Sequence, residues 1–283
     1  MTDLLTPATI RSLLAEHGLA PSRALGQNFL ADPNTARRIV RLAGLAPGAR
    51  VLEIGPGVGS LTAALVEAEA TVTALELDRH VLPLLAAVLE GTGRPDLVRV
   101  VQGDALAVDL DDLVGPDPIA CVSNLPYNVA TPVVVRALET APVITDFLVM
   151  VQREVGERLA APPGSRIYGA VSVKVAYYAT AAVVGTVPAT VFHPRPKVER
   201  ALVRLVRRPA PIVEVDDPER MFAIVRAGFA TRRKSLRQSL RSVCGDATDR
   251  VLARAGIDPM TRAEQLGLES WAELTRADSE VER

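Results

Sequence analysis

The clearest indication of the fold is the segment Arg50-Val51-Leu52-Glu53-Ile54-Gly55-Pro56-Gly57-Val58-Gly59-Ser60. Its first half predicts a short buried strand, and the glycine-rich turn leads directly into a helix over 61–68. Glycines in such a turn let the backbone approach a ligand closely. The dinucleotide fingerprint G-x-G-x-x-G would place its third glycine where Ser60 stands, so the spacing argues against a pyrophosphate cofactor.

The chain on both sides of this segment repeats strands and helices. Thr6-Pro7 and Asp32-Pro33 each predict a capped helix with proline in its first turn. Apolar runs predict further strands over 71–75, 98–101, 118–122 and 144–151, and an antiparallel pair over 181–187 and 201–206. Alternating strands and helices are typical of a doubly wound α/β sheet, which is the fold class that we predict.

Acidic side chains follow two of the predicted strands. Glu76 ends the strand after the glycine turn, about 20 residues further on, where an acid accepts hydrogen bonds from ribose hydroxyls. The alternative for Glu76 is a solvated acid at a strand end. Asp104 follows the next strand and is placed to accept a hydrogen bond from an adenine amino group. Open α/β sheets bind their ligands at this carboxyl edge.

A second segment at the same edge is Ser123-Asn124-Leu125-Pro126-Tyr127-Asn128. Asn124 offers one acceptor and two donors, and the Tyr127 ring can stack on a base. Pro126 restricts the backbone between them. The combination suits an exocyclic amine on a flat nucleobase. The alternative is an ordinary turn, because Asn and Pro are common turn residues.

A stiff loop over 188–197 carries three prolines and the aromatic residue Phe192. The residues alone leave two roles open for Phe192. It is either a second base-stacking ring or an apolar plug of the local core.

The composition is that of an ordinary globular protein, with 48% hydrophobic and 23% charged residues among 283. The start of the chain lacks the basic and apolar parts of a secretory leader, and no apolar run reaches the roughly 20 residues that span a bilayer. Two cysteines and three scattered histidines give neither a disulfide framework nor metal-ligand spacing. We therefore predict a reduced, cytoplasmic protein without a structural metal.

The charge is unevenly distributed along the chain. Residues 64–120 carry eleven acids and three bases, whereas residues 195–241 carry thirteen bases and five acids. A basic second half suggests a polyanion partner on one side of the protein, and a solvated basic helix face is the alternative. The densest basic run, over 231–241, predicts one helix with Leu236 and Leu240 facing inward.

A linker at Pro209-Ala210-Pro211 separates the predicted sheet from predicted helices. We therefore predict two domains, over 1–208 with an N-terminal helical extension and over 209–283.

Six motifs in this order resemble the ribosomal RNA adenine dimethyltransferase family, and within it the KsgA (RsmA) branch. They cover nearly the whole chain and are Leu25-Gly26-Gln27-Asn28-Phe29-Leu30, Glu53-Ile54-Gly55-Pro56-Gly57, Glu76-Leu77-Asp78, Gly103-Asp104-Ala105, Asn124-Leu125-Pro126-Tyr127-Asn128 and the Phe192-x-Pro-x-Pro-x-Val loop. The resemblance implies a Rossmann-like S-adenosylmethionine-dependent methyltransferase sheet with a small all-helical, basic, RNA-binding domain at its C-terminal side.

The resemblance also implies roles for single residues. Those that would bind S-adenosylmethionine are Asn28, Leu30, Gly55, Gly57, Glu76 (ribose), Asp104 (adenine) and Asn124. Tyr127 and Phe192 would enclose the target adenine, while the Asn124 side-chain oxygen and the Leu125 carbonyl would accept its N6 hydrogens. The basic residues that would hold RNA phosphates are Arg232, Arg233, Lys234 and Arg237.

The implied activity is N6,N6-dimethylation of two adjacent adenosines near the 3′ end of 16S ribosomal RNA. The implied partner is that RNA within the assembling small subunit, bound by a monomer that needs no metal and no membrane. Three alternatives are the antibiotic-resistance branch that modifies large-subunit RNA, an RNA-binding assembly factor with weak or lost catalysis, and a nicotinamide dehydrogenase. The glycine spacing and Asn124-Leu125-Pro126-Tyr127 disfavour the last of these.

Two positions depart from the family pattern. Arg200 stands where the family often has a small residue, and the residue after Phe192 varies within the family. We expect neither position to touch the chemistry.

Overall fold

The computed structural model describes residues 5–22, 24–231 and 233–282. The chain divides into two compact units, one of Met1–Gly156 and Ala181–Arg207 and the other of Glu157–Thr180 and Arg208–Arg283. The chain passes from the first unit to the second for the last time between residues 207 and 208, next to the predicted domain boundary between residues 208 and 209. The helical unit also takes residues 157–180, which the prediction had assigned to the first domain.

Nine strands occur among the described residues. They are β1 (Phe29–Leu30), β2 (Arg50–Ile54), β3 (Thr71–Glu76), β4 (Val98–Gln102), β5 (Ile119–Asn124), β6 (Ile144–Gln152), β7 (Ala179–Val187), β8 (Phe192–His193) and β9 (Arg200–Arg207). Seven of them form one sheet in the order β4-β3-β2-β5-β6-β9-β7, and β1 pairs with β8 separately. The predicted α/β fold is confirmed.

The order of the strands positions the candidate site. The first five strands in this order, from β4 through β3, β2 and β5 to β6, run parallel, and β9 is antiparallel to β6. The chain moves outward from β2 to β4 and then returns to β5 on the other side of β2. The crevice between β2 and β5 is therefore the topological switch point, where open α/β sheets bind ligands. Ile54 N donates to Ser123 Oγ at 2.8 Å and ties the two strands together there.

The helices of the first unit alternate with these strands. They are α1 (Pro7–Glu16), α2 (Pro33–Ala43), α3 (Ser60–Glu67), α4 (Leu82–Gly91), α5 (Leu110–Val114), α6 (Ala130–Thr140) and α7 (Arg153–Leu159), the last of which crosses the unit boundary. Helix α2 begins as predicted, because the Asp32 side chain accepts from Asn34 N and Pro33 occupies the first turn. It ends at Gly44 with φ +66°.

The second unit is helical. Its helices are α8 (Ala170–Tyr178), α9 (Pro218–Phe229), α10 (Leu236–Ser239), α11 (Arg241–Cys244), α12 (Thr248–Arg254) and α13 (Leu268–Glu282). They pack around the fully buried Trp271. Gly228 allows the close contact, because a Cβ there would lie 2.6 Å from Trp271 Cη2. Arg220 also donates to the buried Asp278 at 2.7 Å.

The prediction of one basic helix over 231–241 is wrong in part. Leu236 and Leu240 are fully buried, as predicted, but the described residues form a turn followed by the two one-turn helices α10 and α11. Leu236 N donates to Thr261 O at 2.8 Å, and Arg237 N donates to Pro259 O at 3.1 Å. The carbonyl groups of residues 259 and 261 thus accept from the first backbone amides of α10, which have no partner within the helix. The helix therefore begins at this point rather than earlier.

Within the described part of the chain, no helix has both the length and the apolar character needed to span a membrane.

Candidate active site

A cavity, which we call the edge cavity, opens at the carboxyl ends of β2, β3 and β5. It is lined by six of the seven residues predicted to bind the cofactor, namely Asn28, Leu30, Gly55, Gly57, Glu76 and Asn124. Asp104 is not in that lining. It is exposed, and its Oδ1 accepts from Leu106 N at 2.8 Å. Its predicted contact with a cofactor adenine stays a prediction.

The glycine turn forms one wall of the edge cavity. Gly55 and Gly57 have φ of +73° and +57°, in the left-handed region that favours glycine. A Cβ on Gly57 would also lie 3.0 Å from the Phe29 ring, so the backbone and the ring could not approach as they do. The turn therefore requires glycine for both its conformation and its packing.

Glu76 presents a carboxylate to this cavity from the end of β3. Its Oε2 accepts from Gly57 N and its Oε1 from Asp78 N, each at 2.9 Å. Burial raises the pKa of Glu76, and the backbone amides oppose that effect. Each carboxylate oxygen has a second lone pair, so Glu76 can accept one more hydrogen bond at each oxygen. A ribose, with two neighbouring hydroxyls, matches that acceptor pair.

Glu53 also lines the edge cavity, although the sequence analysis did not assign it a role. It is 1% exposed and stands next to the last residue of β2, and its Oε2 has no hydrogen-bond partner among the described residues. Burial raises the pKa of Glu53 to about 8, and the charge of Glu76 adds to the shift. The signal in the sequence is an acidic residue inside the otherwise apolar run 51–54.

A second region, which we call the aromatic slot, is the position bordered by the Tyr127 and Phe192 rings and by the oxygens of Asn124 and Leu125. Asn124 ends β5, and Leu125 N continues its ladder by donating to Met150 O at 3.0 Å. Phe192 is held by the pairing of β8 with β1, in which it stands opposite Leu30. Phe192 is both buried in the core and turned toward the slot, so its two predicted roles are compatible.

The aromatic slot is filled by Arg200, the first residue of β9. Its Cζ lies 4.5 Å from the Tyr127 ring centroid and 5.0 Å from the Phe192 ring centroid. Its Nη1 donates to Asn124 Oδ1 at 2.5 Å and to Leu125 O at 3.0 Å. The expectation that Arg200 stands away from the chemistry is therefore wrong, because it contacts all four residues predicted to be catalytic.

The amide of Asn124 is oriented by its neighbours. Asn124 Nδ2 donates to Asn28 O at 3.4 Å, so Oδ1 faces the aromatic slot and Arg200. An acceptor pair, Asn124 Oδ1 and Leu125 O, is thereby aimed at the same point. The structure thus brings the predicted base-binding groups together.

The predicted RNA-binding residues lie in the helical unit. Arg233, Lys234 and Arg237 are exposed, and Arg232 falls outside the described residues. Arg237 Nη2 pairs with Asp249 Oδ2 at 2.8 Å, with both side chains about half exposed. The exposed pair Arg233 and Lys234 therefore provides the basic surface of this turn.

Comparisons with known proteins match this geometry. A sequence model of the family described as Ribosomal RNA adenine dimethylase matches residues 21–277. The chain is 48% identical to the Ribosomal RNA small subunit methyltransferase A of Thermobifida fusca, over 96% of this chain and 95% of the relative.

Two solved structures resemble the fold over most of the chain. A dimethyladenosine transferase from Plasmodium falciparum has a TM-score of 0.75 and 21% identity, covering 90% of this chain and 98% of that one. The 23S rRNA methyltransferase ErmE has a TM-score of 0.64 and 28% identity, covering 89% of this chain and 100% of that one. The fold is therefore that of the S-adenosylmethionine-dependent methyltransferases.

Proposed function

The chain belongs to the ribosomal RNA adenine dimethylase family, and we propose that it dimethylates N6 of two adjacent adenosines near the 3′ end of 16S rRNA during small-subunit assembly. It is an enzyme that transfers methyl groups from S-adenosylmethionine to ribosomal RNA adenine. The identity of 48% to a small-subunit methyltransferase supports the choice of the small-subunit RNA. That the protein acts as a monomer, and that it acts in the cytoplasm, stay predictions.

The edge cavity fits S-adenosylmethionine. Its lining includes a close-approaching glycine turn at Gly55 and Gly57 and the acceptor pair of Glu76. We infer that Glu76 receives the two ribose hydroxyls and that the glycine turn lies against the rest of the cofactor. Asn28, Leu30 and Asn124 would complete this surface, and Asp104 would bind the adenine end.

One observation carries the assignment of the target base. A single nitrogen, Arg200 Nη1, donates to both Asn124 Oδ1 and Leu125 O. The N6 amine of adenine is likewise one nitrogen with two N–H groups. We therefore propose that N6 takes this position, with the adenine ring stacked between Tyr127 and Phe192.

The two acceptors also explain how N6 becomes reactive. The N6 lone pair is delocalised into the adenine ring, so the amine is a poor nucleophile. Hydrogen bonds to Asn124 Oδ1 and Leu125 O would draw the N–H bonds out of the ring plane and return the lone pair to nitrogen. S-adenosylmethionine, when bound, supplies a methyl group already activated on a sulfonium sulfur. Alignment therefore provides much of the rate, and neither a metal nor a strong base is required.

The target adenine has to leave its stack in the RNA. Unstacking costs a few kcal/mol, and stacking on Tyr127 and Phe192 would offset part of that cost. A second methylation requires the aromatic slot to admit a nitrogen that already carries one methyl group.

The helical domain over 209–283 would supply the electrostatic contact with RNA. The predicted phosphate-binding residues are Arg232, Arg233, Lys234 and Arg237. Replacing Arg233 and Lys234 by glutamine should lower the slope of log affinity against log salt by about 0.7–0.9 for each phosphate that the variant no longer neutralises. Arg254→Gln is the matched control, because Arg254 in the same unit already pairs with Glu280 at 2.6 Å. An unchanged slope in the double variant would place the RNA contact elsewhere.

The test of the proposed function is methyl transfer from labelled S-adenosylmethionine to unmodified small ribosomal subunits, with large-subunit RNA as the control. We expect dimethyladenosine at two adjacent adenines near the 3′ end of the small-subunit RNA, identified after nuclease digestion and mass spectrometry. Label in the large-subunit RNA alone would contradict the proposal and favour the large-subunit branch. RNA binding without label in either RNA would favour an assembly factor.

A further inference from the structure

Arg200 is an unusual occupant of the aromatic slot, because it is a buried cation. It is 1% exposed, and burial lowers its pKa. Among the described residues, its Nε has no hydrogen-bond partner and no carboxylate forms a salt bridge with it. Isolated buried charges are costly unless they are paired or fully hydrogen-bonded. The contacts that stabilise Arg200 here are the two rings and the two acceptors.

These contacts are the ones that the proposed function assigns to the target adenine. The guanidinium is flat, and its Cζ lies over both rings that the proposed function assigns to the stacked base. Its Nη1 donates to the acceptors proposed for N6. Arg200 and the adenine therefore require the same rings and the same lone pairs, and they cannot occupy the aromatic slot together.

We propose that Arg200 closes the aromatic slot in the RNA-free protein and that it leaves the slot when the target base enters. The inference rests on the proposed function, because it uses the same slot for the base. The released guanidinium takes an RNA phosphate as its new partner, since arginine binds phosphate bidentately and phosphates flank every extruded base. Arg200 thereby acts as a specificity-determining residue.

The expected consequence is discrimination against small substrates. Displacing Arg200 breaks two hydrogen bonds and two cation–π interactions, and a substrate must replace them. A ribosomal subunit supplies many phosphate and base contacts, whereas a short oligonucleotide supplies few. The wild-type protein should therefore have a lower kcat/KM on the short substrate than on the subunit. This difference should exceed the one expected from the smaller contact area of the short substrate alone.

The test compares two substrates for the wild type and for Arg200→Ser. The substrates are intact small subunits and a short single-stranded oligoribonucleotide with the two target adenosines. We expect Arg200→Ser to raise kcat/KM on the oligonucleotide about tenfold or more, mainly through KM, and to change kcat/KM on the subunit much less. Arg200→Met keeps the side-chain length but removes the N–H donors. It is the second variant in case Arg200→Ser impairs folding, and we expect the same selective rise in kcat/KM on the oligonucleotide.

The matched control is Arg204→Ser in the same strand. Arg204 is partly exposed and pairs with Asp146 at 3.1 Å on the surface, so its replacement should leave the ratio of the two kcat/KM values unchanged. An unchanged ratio in Arg200→Ser and Arg200→Met, at an unchanged melting temperature, would overturn the inference. Equal loss of activity on both substrates would also overturn it, because it would make Arg200 a positioning residue that stays in place.

A binding measurement separates this inference from the proposed function. An oligonucleotide with 2-aminopurine at the first target position reports by fluorescence when that base leaves its stack and contacts an aromatic ring. We expect higher occupancy of the aromatic slot in Arg200→Ser than in the wild type. Because 2-aminopurine has no N6 amine, this signal reports base entry independently of methyl transfer. Methyl transfer is measured separately, on small subunits and on the oligonucleotide with adenosine at both target positions. Enhanced base entry in Arg200→Ser without methyl transfer to either of these substrates would contradict the proposed function and support the role of Arg200. Equal base entry in both proteins would contradict the role of Arg200.

Discussion

The edge cavity and the aromatic slot adjoin each other at the same edge of the sheet, but their polar groups are satisfied differently. In the edge cavity, Glu76 is held by backbone amides of Gly57 and Asp78 and keeps lone pairs for a ligand. In the aromatic slot, Asn124 Oδ1 and Leu125 O accept from a side chain of the protein itself. The first site keeps acceptor lone pairs free for a ligand, whereas in the second site Arg200 occupies the acceptors proposed for the target base.

This difference matches the two partners. S-adenosylmethionine is a small ligand that has to bind from solution with its own contacts, so a preorganised acceptor favours it. A target adenine arrives attached to a large RNA, whose phosphate contacts can compensate for the displacement of Arg200. The variants below test whether the two sites can be impaired separately.

The largest expected effect is on the aromatic slot. Asn124→Ala removes one of the two acceptors proposed for N6, and we expect methyl transfer to fall about 10²–10³-fold, as when one preorganised hydrogen-bonding group is removed from an active site. Single-turnover transfer to small subunits measures the loss, and Asn34→Ala on the surface of α2 is the control. A loss of S-adenosylmethionine binding as large as the loss of transfer would show that Asn124 serves the edge cavity alone.

A comparable substitution in the edge cavity should act on the cofactor. Glu76→Ala removes the proposed ribose acceptor, and we expect S-adenosylmethionine binding to weaken about 10–100-fold, the range for hydrogen bonds to a charged group. Isothermal titration calorimetry measures the affinity. Glu67→Ala, which removes a surface carboxylate paired with Arg37, is the control. Unchanged affinity in Glu76→Ala would remove Glu76 from the cofactor site.

Loss of a single stacking ring should have a smaller effect. Tyr127→Ala removes a base-stacking surface worth about 1–3 kcal/mol, and we expect methyl transfer to fall about tenfold or somewhat more, while cofactor affinity is nearly unchanged. Tyr127→Phe keeps the ring and should retain most of the activity. Equal losses of transfer and of cofactor binding in Tyr127→Ala would mean that the two sites are not separable.

The smallest effect concerns stability rather than activity. The pKa of Glu53 is raised to about 8, so the folded protein keeps a proton that the unfolded chain loses near pH 4.5. The stability contributed by that proton is present below pH 4.5 and is lost as the pH rises toward 8. As the pH rises across this interval, we expect the melting temperature of the wild type to fall relative to that of Glu53→Gln. The fall should be about 2–4 °C for each kcal/mol lost from the free energy of unfolding. Parallel pH profiles for both proteins would contradict the shift.

Local sequence patterns were sufficient for the elements around the edge cavity. The strand, the glycine turn and the helix over 50–67 are continuous in the chain, so the apolar run and Gly55 and Gly57 predict them directly. Glu76 and Asn124 were predicted at the same edge because parallel strands end there. The basic run over 231–241 was misjudged as one helix, since contacts of Leu236 and Arg237 with residues 259–261 set the start of α10.

The fold class and the polar residues that meet at the edge cavity follow from local patterns in the chain, because strand and turn preferences depend on neighbouring residues. The position of Arg200 in the aromatic slot and the membership of residues 157–180 in the helical unit depend instead on contacts between distant segments. Arg200 and Arg204 stand four residues apart in the same strand, a spacing that puts both on one face, yet the first is buried and the second partly exposed. That outcome depends on the pairing of β9 with β6 and on the rings contributed by other segments, which no local pattern contains.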